Sequence, residues 1–208
     1  MMKHHSHLIV LGAGGHGKVC VDIAQRTMNY DSIAFLDDAN KITHFNLPVL
    51  GSMSQALEWK DKADFFVAIG NNEKRKQLQT WLLTHGCHVI TLVHPSAIIN
   101  SHVQLGIGCS VMANVVINSD TIIEDGCILN SSSVIEHDSI IKAYSHLSPG
   151  VICGGGVSVG ELCWIGIGSV ITHGVSIASH CMIGAGGVVI SNLTQPGTYV
   201  GHPVRLLD

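Results

Sequence analysis

Apolar and polar positions along the chain follow two different patterns, and the change comes near residue 93. Before it, short apolar runs alternate with longer amphipathic stretches. After it, a bulky aliphatic residue recurs at every sixth position. The alternation predicts the strands and helices of an α/β unit, whereas the six-residue period predicts a solenoid of short strands. We therefore expect two domains, residues 1–92 and residues 93–208.

The six-residue period runs without interruption from Val93 to Ile183. We number each sextet from its bulky residue, which is position one, and a small residue or Val stands at position five. Neither position carries a charge in any of these sextets. Position one is occupied by Val93, Ile99, Leu105, Val111, Ile117, Ile123, Leu129, Ile135, Ile141, Leu147, Cys153, Val159, Ile165, Ile171, Ile177 and Ile183. The pattern predicts a left-handed parallel β-helix of triangular section, in which three sextets close one coil.

Most of the seven cysteines fall into this register. Cys153 stands at position one, and position five holds Cys109, Cys127, Cys163 and Cys181. The register predicts that they are small apolar core residues rather than nucleophiles or zinc ligands, and the chain contains no C-x-x-C pair. An odd number of cysteines without an export signal favours a reducing, cytoplasmic compartment.

The first ninety residues alternate between predicted strands and helices. The predicted strands are His7–Leu11, Ser32–Leu36, Asp64–Ile69 and Cys87–Leu92. The predicted helices follow Gly17 to about Met28, run from Ser52 to about Lys60, and run from about Glu73 to His85. Such alternation predicts a parallel sheet with right-handed crossovers. The fold class is therefore a Rossmann-like α/β half domain followed by a β-helix.

A glycine-rich turn follows the first predicted strand. Gly12, Gly14 and Gly17 match G-x-G-x-x-G, and Asp37 stands twenty residues further on, as in a dinucleotide-binding fingerprint. The repeat begins too early to leave room for a second nucleotide-binding half, so a nucleotide or nucleotide sugar fits better. Gly70 ends another strand at the same sheet edge. A glycine turn without a ligand is the alternative.

Charge and composition exclude two classes of function. The formal net charge is −4, and charged residues make up 12%, against about 25% in an average soluble domain. A general nucleic-acid binder is therefore not expected. No apolar run approaches the roughly 20 residues of a membrane span. Leu8–Leu11 is too short for a signal peptide, and whether His4-His5-Ser6-His7 is native stays open.

The coil period places potential catalytic groups on one corner. Gly155 and His173 follow His137 by 18 and 36 positions, which is one and two coils. We therefore expect these residues to stack in successive coils about 5 Å apart. A histidine base and a backbone N–H could thus share one groove. His146 is half a coil away, and it joins that groove only if a neighbouring subunit supplies it. The alternative for His137 is a solvated turn histidine, because position three points outward.

Amide formation requires a base that accepts a proton from an amine. His137 can do this near neutral pH, and Asp138 or Glu136 beside it can fix the imidazole tautomer. Since no cysteine is placed as a nucleophile, we expect any acyl transfer in this groove to occur by direct attack, without an acyl-enzyme.

The other histidines of the repeat do not form a metal site. Histidine pairs five residues apart, which some trimeric hexapeptide-repeat enzymes use to bind zinc, do not occur among them. We therefore predict no catalytic metal. His173 and His180 are interpreted as surface or interface residues, and His94, His102 and His202 are left undecided.

Several segments together resemble the bacterial nucleotide-sugar acetyltransferases. This family includes the N-acetyltransferases of the bacillosamine pathway and the sialic acid O-acetyltransferases. The segments that carry the resemblance are Gly12–Lys18, Phe35–Asp38, Ala68–Asn72, Asn130–Asp138, Ser145–His146 and Gly201–Pro203. Ser133–Asp138 looks most like the members that acetylate a UDP-linked 4-amino sugar.

The resemblance implies roles for individual residues. It implies His137 as general base, Asp138 as the acidic residue beside it, and His146 as a second histidine near the acetyl group. The residues it implies for the nucleotide sugar are Gly12, Gly14, His16, Gly17, Asp37, Asp38, Gly70, Asn71, Arg75 and Asn130. Those it implies for acetyl-CoA are His146, Gly155, Ile167, Ala185 and Arg205. It also implies a homotrimer with active sites between subunits.

The sequence thus favours an acetyl-CoA-dependent N-acetyltransferase acting on a nucleotide-linked amino sugar. Two other functions remain open at this point. One is O-acetylation of a sialic acid or another glycan hydroxyl, and the other is a non-catalytic trimer that binds nucleotide sugars.

Overall fold

A computed structural model of the chain describes residues 5–27, 30–39 and 46–207. His4 and the predicted helix end at Met28 lie outside these residues. The chain divides into two compact units, Met1–Leu92 and Val93–Asp208. None of the helices in the described residues has the length and apolar character needed to cross a membrane.

The first unit is built on a parallel sheet of four strands. The strands are β1 (His7–Leu11), β2 (Ser32–Leu36), β3 (Val49–Gly51) and β4 (Ala63–Val67), in the order β3-β2-β1-β4. All neighbouring pairs are parallel, so the predicted parallel sheet is confirmed. The residues of β1 from Leu8 to Leu11 are almost completely inaccessible to solvent. An unbroken apolar run is typical of a strand that is covered on both faces.

Two α-helices and one 3₁₀-helix accompany these strands, and the second α-helix follows β4. The α-helices are α1 (Gly15–Thr27) and α2 (Asn72–Thr84), close to the predicted bounds. The segment Met53–Trp59 is a 3₁₀-helix rather than the expected α-helix. Its first turn is closed by an i→i+3 bond from the Gln55 N–H to the Ser52 carbonyl, and the Gln55 side chain accepts from the Ser52 N–H. A tight three-residue turn is therefore set at its start.

The predicted fourth strand, Cys87–Leu92, was wrong as a regular strand. Within it, Val89 makes a single bridge to Phe65, and only Leu92 belongs to a two-residue strand. The sheet edge is instead extended on its other side by β3, which the sequence did not reveal. This strand has only three residues, none of which is buried, so it carries no apolar pattern.

The second unit is a left-handed parallel β-helix with three faces, as predicted. Face one contains Leu92–Val93, Ser110–Val111, Ile128–Leu129, His146–Leu147, Trp164–Ile165 and Cys181–Ile183. Face two contains Ile98–Ile99, Val116–Ile117, Val134–Ile135, Ile152–Cys153, Val170–Ile171 and Val188–Val189. Face three contains Gln104–Leu105, Ile122–Ile123, Ile140–Ile141, Ser158–Val159 and Ser176–Ile177. Each strand pairs with the strand 18 residues away, as Val134 does with Ile152.

Position four of the sextet has a left-handed backbone throughout the coil. Every sextet from Ile99 to Ile183 has φ between 57° and 70° there. Glycine, asparagine and aspartate tolerate this conformation best, and they occupy many of these positions. Asp138, with φ 59°, is one of them. The catalytic candidate therefore lies in a conformation imposed by the corner itself.

Position five does more than leave space at the corner. Most of its hydroxyl and thiol groups bond to the backbone carbonyl fifteen residues later, at position two of the next coil. Ser145 Oγ donates to the Gly160 carbonyl at 2.6 Å, and Cys163 Sγ donates to the Ala178 carbonyl at 3.1 Å. These bonds satisfy polar atoms inside a dry core and tie consecutive coils together.

The coil continues one sextet past Ile183, to Val188–Val189. The chain then returns to face one, where Gly197–Gly201 pairs in parallel with Cys181–Ile183. Val204–Leu206 folds back antiparallel to Gly197–Gly201 and ends the sheet. These last strands cover the end of face one.

Face two carries an apolar stripe on its outer surface. The stripe stands at position six of successive coils, and its members are Ile98, Val116, Val134, Ile152, Val170 and Val188. Ile98 is 57% exposed and Ile152 is 45% exposed. Each member is β-branched, which suits a pleated surface.

Candidate active site

The glycine-rich turn connects β1 to α1 in the first unit. Gly12 has φ 108°, a conformation that side chains rarely adopt, and its N–H donates to the Leu36 carbonyl at 2.9 Å. A Cβ on Gly17 would overlap the Gly12 carbonyl oxygen, so the helix packs directly on the turn. The space above Gly14 and Gly15 is open. An exposed turn at a helix N-terminus is suited to binding an anion such as a phosphate.

Asp37 and Asp38 bond to backbone groups around this turn. Asp37 Oδ2 accepts from the Ala13 N–H at 2.7 Å, and its Oδ1 accepts from the Ala39 N–H at 2.8 Å. Asp38 Oδ1 accepts from the Met53 N–H at 2.9 Å. Both carboxylates therefore shape the loops at the carboxyl edge of the sheet. The prediction that they contact the nucleotide sugar stays a prediction.

Arg75 fixes the second loop at this edge from below. Its guanidinium is almost fully buried and donates to the carbonyls of Ile69 and Gly70 at 3.0 and 3.2 Å, and to Asn72 Oδ1 at 2.8 Å. Asn71 caps α2 by accepting from the Lys74 N–H at 2.9 Å. Because the loop uses these side chains, Gly70 and its neighbouring backbone form the accessible surface.

His16 lies in the first turn of α1, and its ring nitrogens are 3.6 and 3.9 Å from Cys20 Sγ. Burial, assisted by the positive charge of Arg75, lowers the pKa of His16 to about 4. The imidazole is therefore neutral near pH 7. It can offer a hydrogen-bond donor or acceptor to a ligand without adding charge.

The catalytic candidate of the second unit is a histidine–aspartate pair on the corner after face two. His137 Nδ1 and Asp138 Oδ2 are 2.7 Å apart, and both side chains are about two-thirds exposed. The hydrogen bond from Asp138 raises the pKa of His137, and the charges of Asp138 and Glu136 act in the same direction. The bond places the Nδ1 proton toward the carboxylate, which leaves Nε2 as the proton acceptor.

Gly155 lies against the face of this imidazole, as the 18-residue arithmetic predicted. A Cβ on Gly155 would stand 2.8 Å from both Cε1 and Nε2 of His137. Within the described part of the chain, neither the Gly155 N–H nor His137 Nε2 has a hydrogen-bond partner. A base and a hydrogen-bond donor are therefore adjacent and accessible.

Glu136 does not contact the imidazole nitrogen. Its Oε2 accepts from Asn118 Nδ2 at 2.8 Å, one coil below. Of the two acids that the sequence offered as orienting groups, Asp138 makes the contact and Glu136 contributes only its charge. Position two points away from the corner, which explains the difference.

His146 lies on face one and forms a cluster of its own. Its ring is almost buried and stacks on Trp164 with a centroid separation of 5.2 Å. Asn130 Nδ2 lies 3.2 Å from His146 Nε2, and Asn130 Oδ1 accepts from the Ser131 N–H. The amide orientation makes Asn130 the donor, so Nε2 accepts and the ring carries its proton on Nδ1. Within one chain, this cluster and His137 belong to different faces.

Comparison with known proteins agrees with both units. The family model described as PglD N-terminal domain matches residues 7–82. The acetyltransferase domain of PglB from Neisseria gonorrhoeae FA1090 is 32% identical and superposes with a TM-score of 0.95, covering 98% of this chain and all of that one. PerB from Caulobacter crescentus, solved with CoA and GDP-perosamine, is 33% identical with a TM-score of 0.90, covering 100% of this chain and 99% of that one.

The chain belongs to the PglD-type sugar acetyltransferases. Among curated relatives, the UDP-N-acetylbacillosamine N-acetyltransferase of Bacillus subtilis is 34% identical over 111 residues. That match covers 51% of this chain and 51% of the relative, so it spans about half the length of each.

The thiols of this PglD-type chain are structural. All seven cysteines are free and buried. Burial raises the pKa of Cys153 and Cys163 to about 12, so neither is a thiolate near pH 7. A reactive cysteine requires a lowered pKa and access to solvent, and these positions have neither.

Three of the five residues implied for acetyl-CoA lie on two corners of the PglD-type coil. Ile167 and Ala185 occupy position three on the corner after face one, and Ile167 is 61% exposed. Gly155 lies on the corner after face two. Arg205 lies in the last strand and donates to the Val204 carbonyl. One chain therefore does not gather these residues around a single point.

The sequence missed three contacts of this PglD-type site. These are the Asp37 bonds to the turn, the Arg75 bonds beneath the second loop, and the stacking of His146 on Trp164. The last had a signal, because residues 146 and 164 are one coil apart and both stand at position six. The other two depend on loop geometry that no periodic pattern encodes.

Replacing Gly155 by alanine tests the stacking. The new Cβ would meet the His137 ring at 2.8 Å and displace it. Because misplacing a catalytic group by about 1 Å costs about 10²-fold, we expect kcat for acetyl transfer to fall by about that factor. Steady-state kinetics at saturating substrates measures the effect.

The matched control for Gly155→Ala is Ser119→Ala, one coil on the other side of His137. It removes a hydroxyl from the same corner without adding an atom, so we expect kcat to stay unchanged. Equal activity of Gly155→Ala and the unmodified protein would show that the ring does not need this position.

Proposed function

We propose that the chain is an acetyl-CoA-dependent N-acetyltransferase that acts on the amino group of a nucleotide-linked sugar, of the 4-amino-4,6-dideoxy class. The observation that carries the proposal is the exposed His137–Asp138 pair beneath Gly155. The named activities of relatives support it, since they include a GDP-perosamine N-acetyltransferase of Escherichia coli and the bacillosamine enzyme. Acetyl coenzyme A is present in a solved structure of the PglB domain.

The proposed reaction transfers the acetyl group directly. The sugar amine attacks the thioester carbonyl, so a C–N bond forms and the carbonyl oxygen becomes an oxyanion. His137 Nε2 takes the proton of the attacking nitrogen, and Asp138 stabilises the resulting imidazolium. The Gly155 N–H donates to the oxyanion. Collapse then breaks the C–S bond, and the imidazolium returns its proton to the leaving CoA thiolate.

The first unit has the groups that such a substrate needs. The open turn at Gly14 and the N-terminus of α1 suit the diphosphate, and the neutral His16 adds a polar contact without charge. The loop at Gly70 presents backbone groups beside it. No step of this mechanism requires a metal ion, and the buried, reduced thiols suit the cytoplasm.

We also propose that the active enzyme is a homotrimer with sites between subunits. Two observations support this. The apolar stripe of face two is exposed or only partly buried in a single chain, and its member Val134 stands three residues before His137. His146 with its Asn130 and Trp164 partners lies on another face, so a neighbouring subunit would have to bring it to His137.

A thiol-release assay tests the proposed activity. The full chain is mixed with acetyl-CoA and with amino and hydroxy sugars linked to UDP, GDP, CMP or dTDP, and free CoA is measured. We expect turnover with an amino sugar and none with its hydroxy counterpart. Turnover only with hydroxy acceptors would indicate O-acetylation. No release of CoA with any acceptor, together with retained ligand binding, would indicate a binding protein.

Asp138→Asn tests the proton transfer through its pH dependence. A base must be neutral to act, so kcat/KM should rise with pH through the raised pKa of His137. Asparagine can still accept from Nδ1 but carries no charge, and the pKa of His137 should fall. The acid limb of the profile should therefore move to lower pH, and the plateau rate should drop.

The coil offers a matched control for this pH experiment. His102 and Asp120 form a similar exposed pair on the same corner, at 3.4 Å. Asp120→Asn should leave the profile unchanged. An identical profile for the Asp138→Asn protein would contradict the assignment of His137 as base.

A further inference from the structure

The first unit holds a second cluster of titratable groups, far along the sheet from the glycine turn. At the amino-terminal edge, His5 Nδ1 and His88 Nδ1 each lie 2.8 Å from the same carboxylate oxygen, Asp64 Oδ1. Asp64 is completely buried, and the side chains of His5 and His88 are 29% and 22% exposed. The glycine turn lies at the carboxyl edge of the same parallel strands. The proposed acetyl transfer makes no use of this cluster.

The fold places each member of the cluster through backbone bonds. Asp64 is the second residue of β4. The Phe65 N–H donates to the His88 carbonyl at 2.8 Å, which holds His88 beside it. The Asp31 N–H donates to the Ser6 carbonyl at 2.8 Å, which holds the segment of His5. The segments of His5 and His88 therefore meet at one oxygen atom of Asp64 on β4.

Tyr30 occupies the other oxygen of the carboxylate. Its hydroxyl donates to Asp64 Oδ2 at 2.8 Å. Burial and the hydrogen bond to Asp64 raise the pKa of Tyr30, so the hydroxyl keeps its proton and remains a donor. Oδ1 is the oxygen directed at His5 and His88. A carboxylate that binds a metal ion is usually oriented by a hydrogen bond of this kind.

We propose that His5, Asp64 and His88 form a binding site for a divalent transition-metal ion, with Zn²⁺ as the best fit. The three ligand atoms lie within 4.8 Å of one another. Two imidazole nitrogens and one carboxylate oxygen are ligands that Zn²⁺ prefers, and a water molecule can complete the tetrahedron from the solvent side.

Binding requires only small changes in the cluster. Each neutral imidazole moves its proton from Nδ1 to Nε2, so no net proton is released when both rings are neutral. Tetrahedral ligands at Zn²⁺ bond lengths stand about 3.3 Å apart, so the 2.8 Å contacts must widen by about 0.5 Å. Metal ions bind only unprotonated imidazole, so the affinity should fall as the pH is lowered. The ion would hold three segments of the first unit together.

Titration of the full chain with ZnCl₂ after EDTA treatment and dialysis tests the site. We expect one tightly bound equivalent by calorimetry and a higher Tm, which EDTA reverses. His88→Gln should abolish both effects, because glutamine can still donate to Asp64 but offers no imidazole nitrogen. Tyr30→Phe should weaken affinity about 10-fold or more, as loss of a supporting hydrogen bond does at other sites.

The matched control is His85→Gln, because His85 lies three residues before His88 and bonds to the Trp81 carbonyl instead. It should bind Zn²⁺ like the unmodified chain. Equal binding by His88→Gln would overturn the proposal, since the histidines at positions 4, 5 and 7 would then bind the ion alone. Failure of the unmodified chain to bind micromolar Zn²⁺ would overturn it as well. Neither outcome depends on whether the chain transfers acetyl groups.

Discussion

Replacing His137 by alanine should lower kcat for acetyl transfer by about 10²- to 10⁴-fold, the usual contribution of a general base. The amine would then have to lose its proton to water while the thioester is attacked. KM for the nucleotide sugar should change little, because the groups proposed to bind the nucleotide lie in the first unit. Thiol release at saturating substrates measures kcat, and far-ultraviolet circular dichroism checks the fold.

His102→Ala is the matched control for this substitution. His102 is also an exposed histidine on the corner after face two, and it also lies beside an aspartate. It has no glycine stacked on its ring, so we expect full activity. If His102→Ala and His137→Ala lose activity equally, the loss comes from a change in the coil and not from removal of a base.

Replacing Val134 by aspartate should convert the proposed trimer to monomers and abolish most of the activity. Val134 stands in the middle of the apolar stripe, three residues before His137. A symmetric assembly would bury three such carboxylates at once, and an unpaired buried charge costs several kcal/mol. Light scattering coupled to size exclusion measures the mass, and thiol release measures the activity.

Ile140→Asp provides the control for the stripe. Ile140 also stands at position six and is also partly buried, but it belongs to face three. We expect this variant to keep the mass of the unmodified protein. Dissociation by Ile140→Asp together with an intact Val134→Asp assembly would show that face three, and not the stripe, joins the subunits.

The coil could be predicted in detail because its sequence and structure share one period. Each sextet makes the same contacts with the sextets 18 residues away. An atypical residue at one position, such as Cys153, therefore does not obscure the register that the other sextets define. The hydrogen bonds at position five were less visible. Ser145 and Cys163 look like small fillers in the sequence, and only the structure shows that they donate to carbonyl groups.

The first unit was predicted less completely, because short and irregular segments carry weak patterns. The strands β1 and β2 matched their predicted bounds, since both are continuous apolar runs. The segment Cys87–Leu92 is also mostly apolar but makes a single bridge to the sheet. Apolar composition indicates burial, and burial does not require regular pairing.

The candidate site divides in the same way. His137 and Gly155 could be placed together by counting, because residues 18 positions apart lie next to each other in successive coils. Arg75 could be assigned only by resemblance, and its bonds to the loop carbonyls are a matter of tertiary geometry. No local motif predicts the metal-binding cluster, because its members are separated by up to 83 positions in the sequence. They are His5, Asp64 and His88.

The stacking of Gly155 on His137 also limits how such a site can change over time. Gly155 and His137 lie in neighbouring coils, so their separation is set by the spacing between hydrogen-bonded strands. That spacing can change by a whole strand but not by a fraction of an ångström. Insertion of a single residue would shift the register of the coil, so that later core side chains would point outward and later surface side chains would point inward. A whole coil of 18 residues can be gained or lost without that penalty. Adjustment to a new acceptor is therefore left to the side chains around the pair, while the backbone spacing of the coil stays constant.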